Sequence, residues 1–213
     1  MDGIADVAAN LAAVRDRIRT AGGDPVQVTV VAVTKGFGDD AVEAAVAAGA
    51  TDLGENYAAE LAAKWRPGVR WHFLGAIQRN KVRSLATMVD LWQGVDRRDE
   101  AEAIASRAAG AAVLVQVNVS GEPQKSGCAW DDVASLVERA RAAGVEVRGL
   151  MAVGPSGPPE AARLPFRRLA QVARSLELPE VSMGMTADLE VAVQEGATMV
   201  RVGTALFGAR PTP

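Results

Sequence analysis

Eight short strand-like segments alternate with helical segments along this chain, and this alternation restricts the possible folds more than any other feature. The strand-like segments are rich in apolar and β-branched residues, and they lie at 28–34, 51–54, 70–74, 91–95, 112–119, 146–152, 181–184 and 199–203. The helical patterns lie at 39–48, 56–64, 79–88, 98–109, 130–143, 159–176 and 186–195. Strands that alternate with helices in this way predict a parallel sheet.

Eight is also the number of strands that closes a (β/α)₈ barrel. We therefore predict an α/β fold, a single-domain (β/α)₈ TIM-type barrel over residues 1–213, with a doubly wound open sheet as the alternative. Residues 4–20 precede the first strand and predict an extra N-terminal helix. The apolar stripe of this helix consists of Ile4, Val7, Leu11, Val14 and Ile18.

Composition and charge exclude several classes of site. The single cysteine, Cys128, excludes an internal disulfide, and the single histidine, His72, leaves no histidine pair for zinc or iron. The net charge of −3 gives no electrostatic reason to expect nucleic acid as a partner. No stretch approaches about 18 uncharged apolar residues, so we expect no membrane span. The N-terminal residues lack the pattern of a signal peptide, which predicts a cytoplasmic protein.

Lys35 stands directly after the first predicted strand, in the stretch VTVVAVTKGFG of residues 28–38. The chain has four lysines against nineteen arginines, so a lysine at this position suggests a role that arginine cannot fill. A lysine amine can form a Schiff base with an aldehyde, and burial at a strand end favours its neutral, nucleophilic form. Lys35 is therefore a candidate nucleophile, and the alternative is a solvated strand end.

Hydroxyl and glycine residues follow the last two predicted strands, in SMGMTAD (182–188) and RVGTALFG (201–208). In barrels of this type, the loops after strands seven and eight often hold phosphate, and helix N-termini attract anions. These stretches therefore predict an anion site. The alternative is structural, with Thr186 as the N-cap of its helix and Gly203 in a tight turn.

Seven motifs occur in order along nearly the whole chain: AVTK, LGENY, WHFLGAIQRNK, QVNVSGEPQKSG, RGLMAV, SMGMTADLE and MVRVGTALFGAR. Together they resemble the YggS/PROSC family of pyridoxal phosphate homeostasis proteins, which is related to the N-terminal barrel domain of alanine racemase. The resemblance implies that this chain binds pyridoxal 5′-phosphate (PLP) as an aldimine on Lys35. It further implies that Arg201 faces the pyridine nitrogen and that Asn56 approaches the cofactor from strand two. Around the phosphate it places Ser182, Thr186, Gly203 and Thr204.

The resemblance implies that the protein holds and delivers PLP in vitamin B6 and amino-acid homeostasis. PLP-dependent apo-enzymes are the expected partners, and a monomer is the expected oligomeric state. Because arginine cannot give its proton to the pyridine nitrogen, Arg201 should leave the ring a poor electron sink, which disfavours carbanion chemistry.

Two alternatives remain open. One is a PLP-dependent amino-acid racemase of low activity, with Lys35 as one base. Racemisation needs a base on each face of the substrate α-carbon, and the sequence ends with the barrel, so we expect no second-base domain. The other alternative is a barrel that binds a different phosphorylated metabolite, with Lys35 as a charge partner only.

Overall fold

A computed structural model of the protein describes residues 6–210, and its strands pair in parallel and in sequence order. The last strand pairs with the first, so the sheet closes into a barrel. Strands β1 to β8 are Thr29–Val33, Asp52–Glu55, Arg70–Phe73, Leu91–Val95, Ala112–Gln116, Glu146–Met151, Glu180–Ser182 and Met199–Val202. The predicted (β/α)₈ barrel is confirmed, and the alternative of an open doubly wound sheet is wrong.

Helices follow the strands around the outside of the barrel. In chain order, α1 to α9 are Val7–Thr20, Asp39–Ala47, Ala58–Lys64, Arg79–Leu85, Arg98–Ala105, Val133–Ala143, Arg163–Ser175, Leu189–Gln194 and Thr204–Phe207. Short 3₁₀ turns precede α6 and α7. The short helix α9 was not predicted, and α8 begins three residues later than the expected 186. Every helix within residues 6–210 is too short or too polar to span a bilayer.

The apolar core has an outer and an inner part. The outer part fills the space between the strands and the helices, where Trp71, Trp92 and Phe166 are almost fully buried.

A small inner cluster consists of Val31, Leu91, Leu114, Met151 and Met199. Strand pairing sets Val31 beside Arg201, Leu91 beside His72, and both Met151 and Met199 beside Ser182. Because paired positions share a face of the sheet, polar and apolar side chains lie together inside the barrel.

The predicted N-terminal helix is confirmed as α1, which begins after Asp6, whose carboxylate accepts a hydrogen bond from the Ala9 N–H. Its predicted apolar stripe is buried, except for Ile4, which lies outside the described residues. Two polar side chains of α1 reach the other end of the sequence. The Asn10 amide donates to the Leu206 carbonyl (2.8 Å), and Arg17 donates to the Thr186 carbonyl (2.8 Å). The helix therefore holds the loop after β7 and helix α9 in place.

Glu100 gives the fold a pH-dependent stability. Burial, together with the nearby charge of Asp96, raises the pKa of Glu100 to about 7. An unfolded glutamate has a pKa of about 4.3, so the folded protein holds this proton more tightly and loses stability as pH rises from about 4.5 to 7. We expect Glu100→Gln to remove this loss, so that the Tm of the variant minus that of the wild type grows between pH 5 and 8. Thermal unfolding of both proteins measures it, and a constant difference would contradict the prediction.

Candidate functional site

A cavity of about 330 Å³ lies at the carboxyl ends of the strands, within the size range of small-molecule pockets. The cavity is lined by residues of β1, β5, β6 and β8 and of the loops that follow the strands. Six of the seven predicted site residues are among them: Lys35, Asn56, Thr186, Arg201, Gly203 and Thr204. The structure therefore brings together most of the residues that the sequence singled out.

Lys35 is half-buried and enters the cavity just after β1 ends. Burial lowers the pKa of its ammonium group, and the positive charges of Arg210 and Arg201 lower it further. The nearby carboxylates of Glu55 and Glu60 oppose this shift without cancelling it. A lowered pKa increases the fraction of neutral amine, which is the form that attacks a carbonyl carbon.

A second lysine, Lys64 on α3, lies buried behind this strand end. Its ammonium donates to the Thr34 carbonyl (2.9 Å), to Glu55 Oε1 (2.8 Å) and to Glu60 Oε2 (2.8 Å). Burial lowers the pKa of Lys64, but the hydrogen bonds to the two carboxylates outweigh this effect and raise the pKa overall. Lys64 is therefore a structural cation, in an environment opposite to that of Lys35.

The same carboxylates hold the residues on both sides of Lys35. The Thr34 hydroxyl donates to Glu55 Oε1 (2.7 Å), and the Gly36 N–H donates to Glu60 Oε2 (2.8 Å). Because the residue before Lys35 and the residue after it are both fixed, the position from which its side chain starts is fixed as well. No sequence pattern indicated this arrangement, since it depends on how α3 packs against the barrel.

Arg201 on β8 lines the same cavity and is 5% exposed. Its guanidinium donates to the Ser182 hydroxyl (2.7 Å) and to the Ala152 carbonyl (2.7 Å), bonds that use two of its five N–H groups. Burial lowers the pKa of Arg201 to about 10, so the group remains charged at neutral pH. The cavity thus contains a rigidly held cation with donors left for a ligand.

The loops after β7 and β8 form the side of the cavity that was predicted to bind an anion. Helix α8 begins at Leu189, and the Asp188 carboxylate accepts from the Met185 N–H (2.7 Å), so the alternative of Thr186 as N-cap is wrong. The Thr186 hydroxyl instead accepts from the Ala205 N–H (3.3 Å) at the start of α9. This bond links the two loops.

Gly203 and Thr204 contribute backbone donors to the same side. Within residues 6–210, no hydrogen bond uses the N–H group of Gly203 or of Thr204, although both residues line the cavity. A Cβ atom at Gly203 would lie 3.1 Å from the Val33 carbonyl oxygen, so glycine allows β8 to exit close to β1. The φ of −117° at Gly203 is accessible to any residue, so a tight turn does not explain this glycine. Unpaired backbone N–H groups at a cavity surface are suited to bind an anion.

Ser182 does not lie where the sequence placed it. Its side chain is fully buried inside the barrel, where the hydroxyl accepts from Arg201 and donates to Gln93 Oε1 (2.7 Å). It does not line the cavity, because it is the last residue of β7 and points into the interior beneath Arg201. The expectation that Ser182 lies around a phosphate is therefore wrong, and its partner is the arginine.

Sequence reasoning missed Arg210, which lines the cavity and lies across Gly36. The motif MVRVGTALFGAR ends at this residue, so the resemblance reached it without indicating a role. The structure shows that Arg210 adds a third positive charge to those of Lys35 and Arg201, and that it lowers the pKa of Lys35. A negatively charged ligand would offset this concentration of positive charge.

The fold and the cavity define a (β/α)₈ barrel with an amine, a buried guanidinium and free backbone donors at its mouth. The family model for the alanine racemase N-terminal domain matches residues 4–211. A pyridoxal phosphate homeostasis protein of Pseudomonas aeruginosa is 43% identical over 96% of both chains. One of Deinococcus radiodurans is 42% identical over 94% of this chain and 99% of the relative.

Solved structures agree with the sequence comparisons. PipY of Synechococcus elongatus with PLP bound superimposes with a TM-score of 0.80 at 31% identity, over 92% of this chain and 100% of PipY. Without PLP, the TM-score is 0.83 at 32% identity, over 95% of this chain and 100% of PipY. The chain belongs to the alanine racemase N-terminal domain family and, within it, to the pyridoxal phosphate homeostasis proteins.

The buried cluster of Lys64, Glu55 and Glu60 gives a test of stability. Lys64→Met removes the cation and leaves the fully buried Glu55 carboxylate without it, so we expect the free energy of unfolding to fall by about 3 kcal/mol. Urea denaturation measures this loss.

The matched control is the double variant Lys64→Met/Glu55→Gln, in which a neutral amide replaces the unpaired carboxylate. We expect its destabilisation to be smaller than the sum of the two single effects, because the groups interact directly. Strictly additive effects would show that the pair is not coupled.

Proposed function

We propose that this chain binds PLP covalently through Lys35 and serves to hold and deliver PLP in vitamin B6 and amino-acid homeostasis. The observation that carries the proposal is that an amine with a lowered pKa, a buried guanidinium and unpaired backbone donors share one cavity. The relatives named as pyridoxal phosphate homeostasis proteins support it, as does the structure of PipY with PLP bound.

The residues present fit each part of PLP, which supplies a reactive aldehyde on an electron-withdrawing ring when it is bound. The Lys35 amine would condense with the aldehyde and release one water molecule. Arg201 would donate to the pyridine nitrogen, since the guanidinium remains charged and has donors left. Asn56, directly after β2, lines the same cavity and would contact the ring from that side.

The phosphate group of PLP would lie on the side of the cavity formed by the loops after β7 and β8. Thr186, Gly203 and Thr204 supply a hydroxyl and unpaired backbone N–H groups there, and Arg210 supplies charge. The link from Arg17 to the Thr186 carbonyl keeps this side rigid. A rigid set of donors binds an anion at a lower entropic cost than mobile side chains would.

We propose a carrier in preference to an enzyme because of the side chains that line the cavity. Among the described residues that do so, Lys35 is the one that can act as a general base. Racemisation needs a second base on the opposite face of the α-carbon. A PLP-dependent racemase of low activity stays the second candidate, since the family model is that of an alanine racemase domain.

Four further predictions complete the proposal: one domain over residues 1–213, a monomer, a cytoplasmic location, and PLP-dependent apo-enzymes as partners. The closed barrel of residues 29–202 supports the first. An acceptor apo-enzyme would need access to the amine, and Lys35 is half-buried in a cavity that opens at the barrel mouth.

Lys35→Arg separates covalent PLP binding from charge pairing with another phosphorylated metabolite. Arginine keeps the positive charge but cannot condense with an aldehyde. We expect wild-type protein mixed with PLP to gain a visible absorption band, and borohydride reduction to leave a pyridoxyl group on the Lys35 peptide in mass analysis. We expect Lys35→Arg to show neither. A modified Lys64, Lys81 or Lys125 peptide in place of Lys35 would overturn the assignment.

Carrier and racemase differ in what the loaded protein does. We expect the PLP-loaded protein to restore activity to a PLP-dependent apo-enzyme, and to leave the optical rotation of L-alanine unchanged over hours. Lys35→Ala serves as the control in both assays, because it removes the proposed site of attachment. A sustained loss of rotation that Lys35→Ala abolishes would make the racemase the better description.

A further inference from the structure

A column of buried hydrogen bonds descends from Arg201 into the barrel. The guanidinium donates to the Ser182 hydroxyl at 2.7 Å, and this hydroxyl donates to Gln93 Oε1 at 2.7 Å. Ser182 and Gln93 are both 0% exposed, and they come from strands β7 and β4 on different sides of the barrel. The column therefore begins at the cavity and crosses the barrel interior.

The column continues to the opposite end of the barrel. Gln93 Nε2 lies 2.7 Å from His72 Nδ1, and His72 Nε2 lies 2.9 Å from Asp52 Oδ1. Asp52 also pairs with Arg70 (2.7 Å), which is half-exposed at the amino ends of the strands. His72 and Asp52 are both buried. The hydrogen bonds thus connect the ligand cavity with the far end of the barrel.

The chemistry of the two ends gives the column one direction. Gln93 turns its Oε1 to Ser182 and its Nε2 to His72, so, with arginine as the donor at one end and an ionised aspartate as the acceptor at the other, each group accepts from the side of Arg201 and donates toward Asp52. This assigns the proton of His72 to Nε2 and leaves Nδ1 as acceptor. Burial raises the pKa of Asp52, but bonds from His72, Thr51 and Arg70 outweigh it and keep the pKa below its ordinary value.

Stability alone does not account for this column. A buried polar group that loses its partner costs free energy, whereas an apolar side chain of similar shape fills the same space without that risk. The inner cluster around the column, which includes Leu91 and Leu114, shows that apolar side chains do fill this interior. What the polar residues add is a fixed acceptor, the Ser182 hydroxyl, for one N–H group of the Arg201 guanidinium.

We propose that Ser182, Gln93 and His72 are positioning residues that fix the orientation of Arg201 toward a ligand in the cavity, with Asp52 as the charged anchor of the column. None of the three lines the cavity, so each acts through Arg201. The Ala152 carbonyl holds a second N–H of the guanidinium, and the column prevents rotation about that contact. The inference rests on the proposed function in taking PLP as the ligand that Arg201 faces.

Gln93→Met tests the proposal. Methionine has about the volume of glutamine, but its sulfur is only a weak acceptor for Ser182 and it cannot donate to His72, so it interrupts the column at its centre. We expect the dissociation constant for PLP to rise about tenfold, since a buried partner is lost. We also expect a changed absorption maximum of bound PLP and a changed pH midpoint of its spectrum, because the group beside the pyridine nitrogen has moved.

The matched control is Leu114→Val, which removes a methylene group from the same interior and leaves every hydrogen-bonding group of the column in place. We expect the control to lose stability yet to keep the wild-type spectrum and its pH midpoint. Wild-type protein that fails to bind PLP would overturn the proposed function itself. Wild-type protein that binds PLP, with Gln93→Met spectrally identical to it, would overturn only the positioning role.

A pair of variants at His72 keeps the test valid if Gln93→Met does not fold. His72→Asn retains an acceptor near the position of Nδ1, whereas His72→Leu retains none. We expect His72→Leu to weaken PLP binding and shift the spectrum in the same direction as Gln93→Met, and His72→Asn to restore most of both. Equal spectra for the two variants would contradict the column as the route of the effect.

Discussion

The pairing of β1 with β8 is the contact on which the rest of the candidate site depends. It joins the first and last strands of the barrel and sets Val31 beside Arg201. As a result, Lys35 emerges next to Gly203 and Thr204, and two cations from distant parts of the sequence share one cavity. Their mutual repulsion adds to the effect of burial in lowering the pKa of Lys35. The strand pairing that closes the barrel therefore also favours the neutral form of the amine.

Two lysines close to the same strand end show how surroundings determine the role of a side chain. Lys64 has two carboxylates within hydrogen-bond distance and a raised pKa, whereas Lys35 has two arginines nearby and a lowered one. The carboxylates that hold Lys64 also accept hydrogen bonds from the Thr34 hydroxyl and the Gly36 N–H, on either side of Lys35. The same two carboxylates thus keep Lys64 charged and hold the residues beside Lys35, which can become neutral.

Much of this could be predicted from the sequence because a parallel barrel gathers the carboxyl ends of its strands at one mouth. That rule predicts that Lys35, Arg201 and Gly203 lie together. It failed for Ser182, the last residue of its strand, whose side chain points into the barrel interior. The alternation of side chains along a strand does not indicate which of them point into the barrel and which point toward the helices. The hydrogen bonds from Lys64 to Glu55 and Glu60 could not be predicted either, because they depend on how helix α3 packs against the barrel.

The bonds from helix α1 to the loops near the other end of the sequence bear on how the protein is made. Asn10 and Arg17 are synthesised well before their acceptors at Leu206 and Thr186, which lie more than 160 residues further along the chain. A growing chain therefore carries its amine at residue 35 long before the donors of the anion side exist beside it. The anion side of the pocket can therefore assemble on helix α1 only after residue 206 has been synthesised.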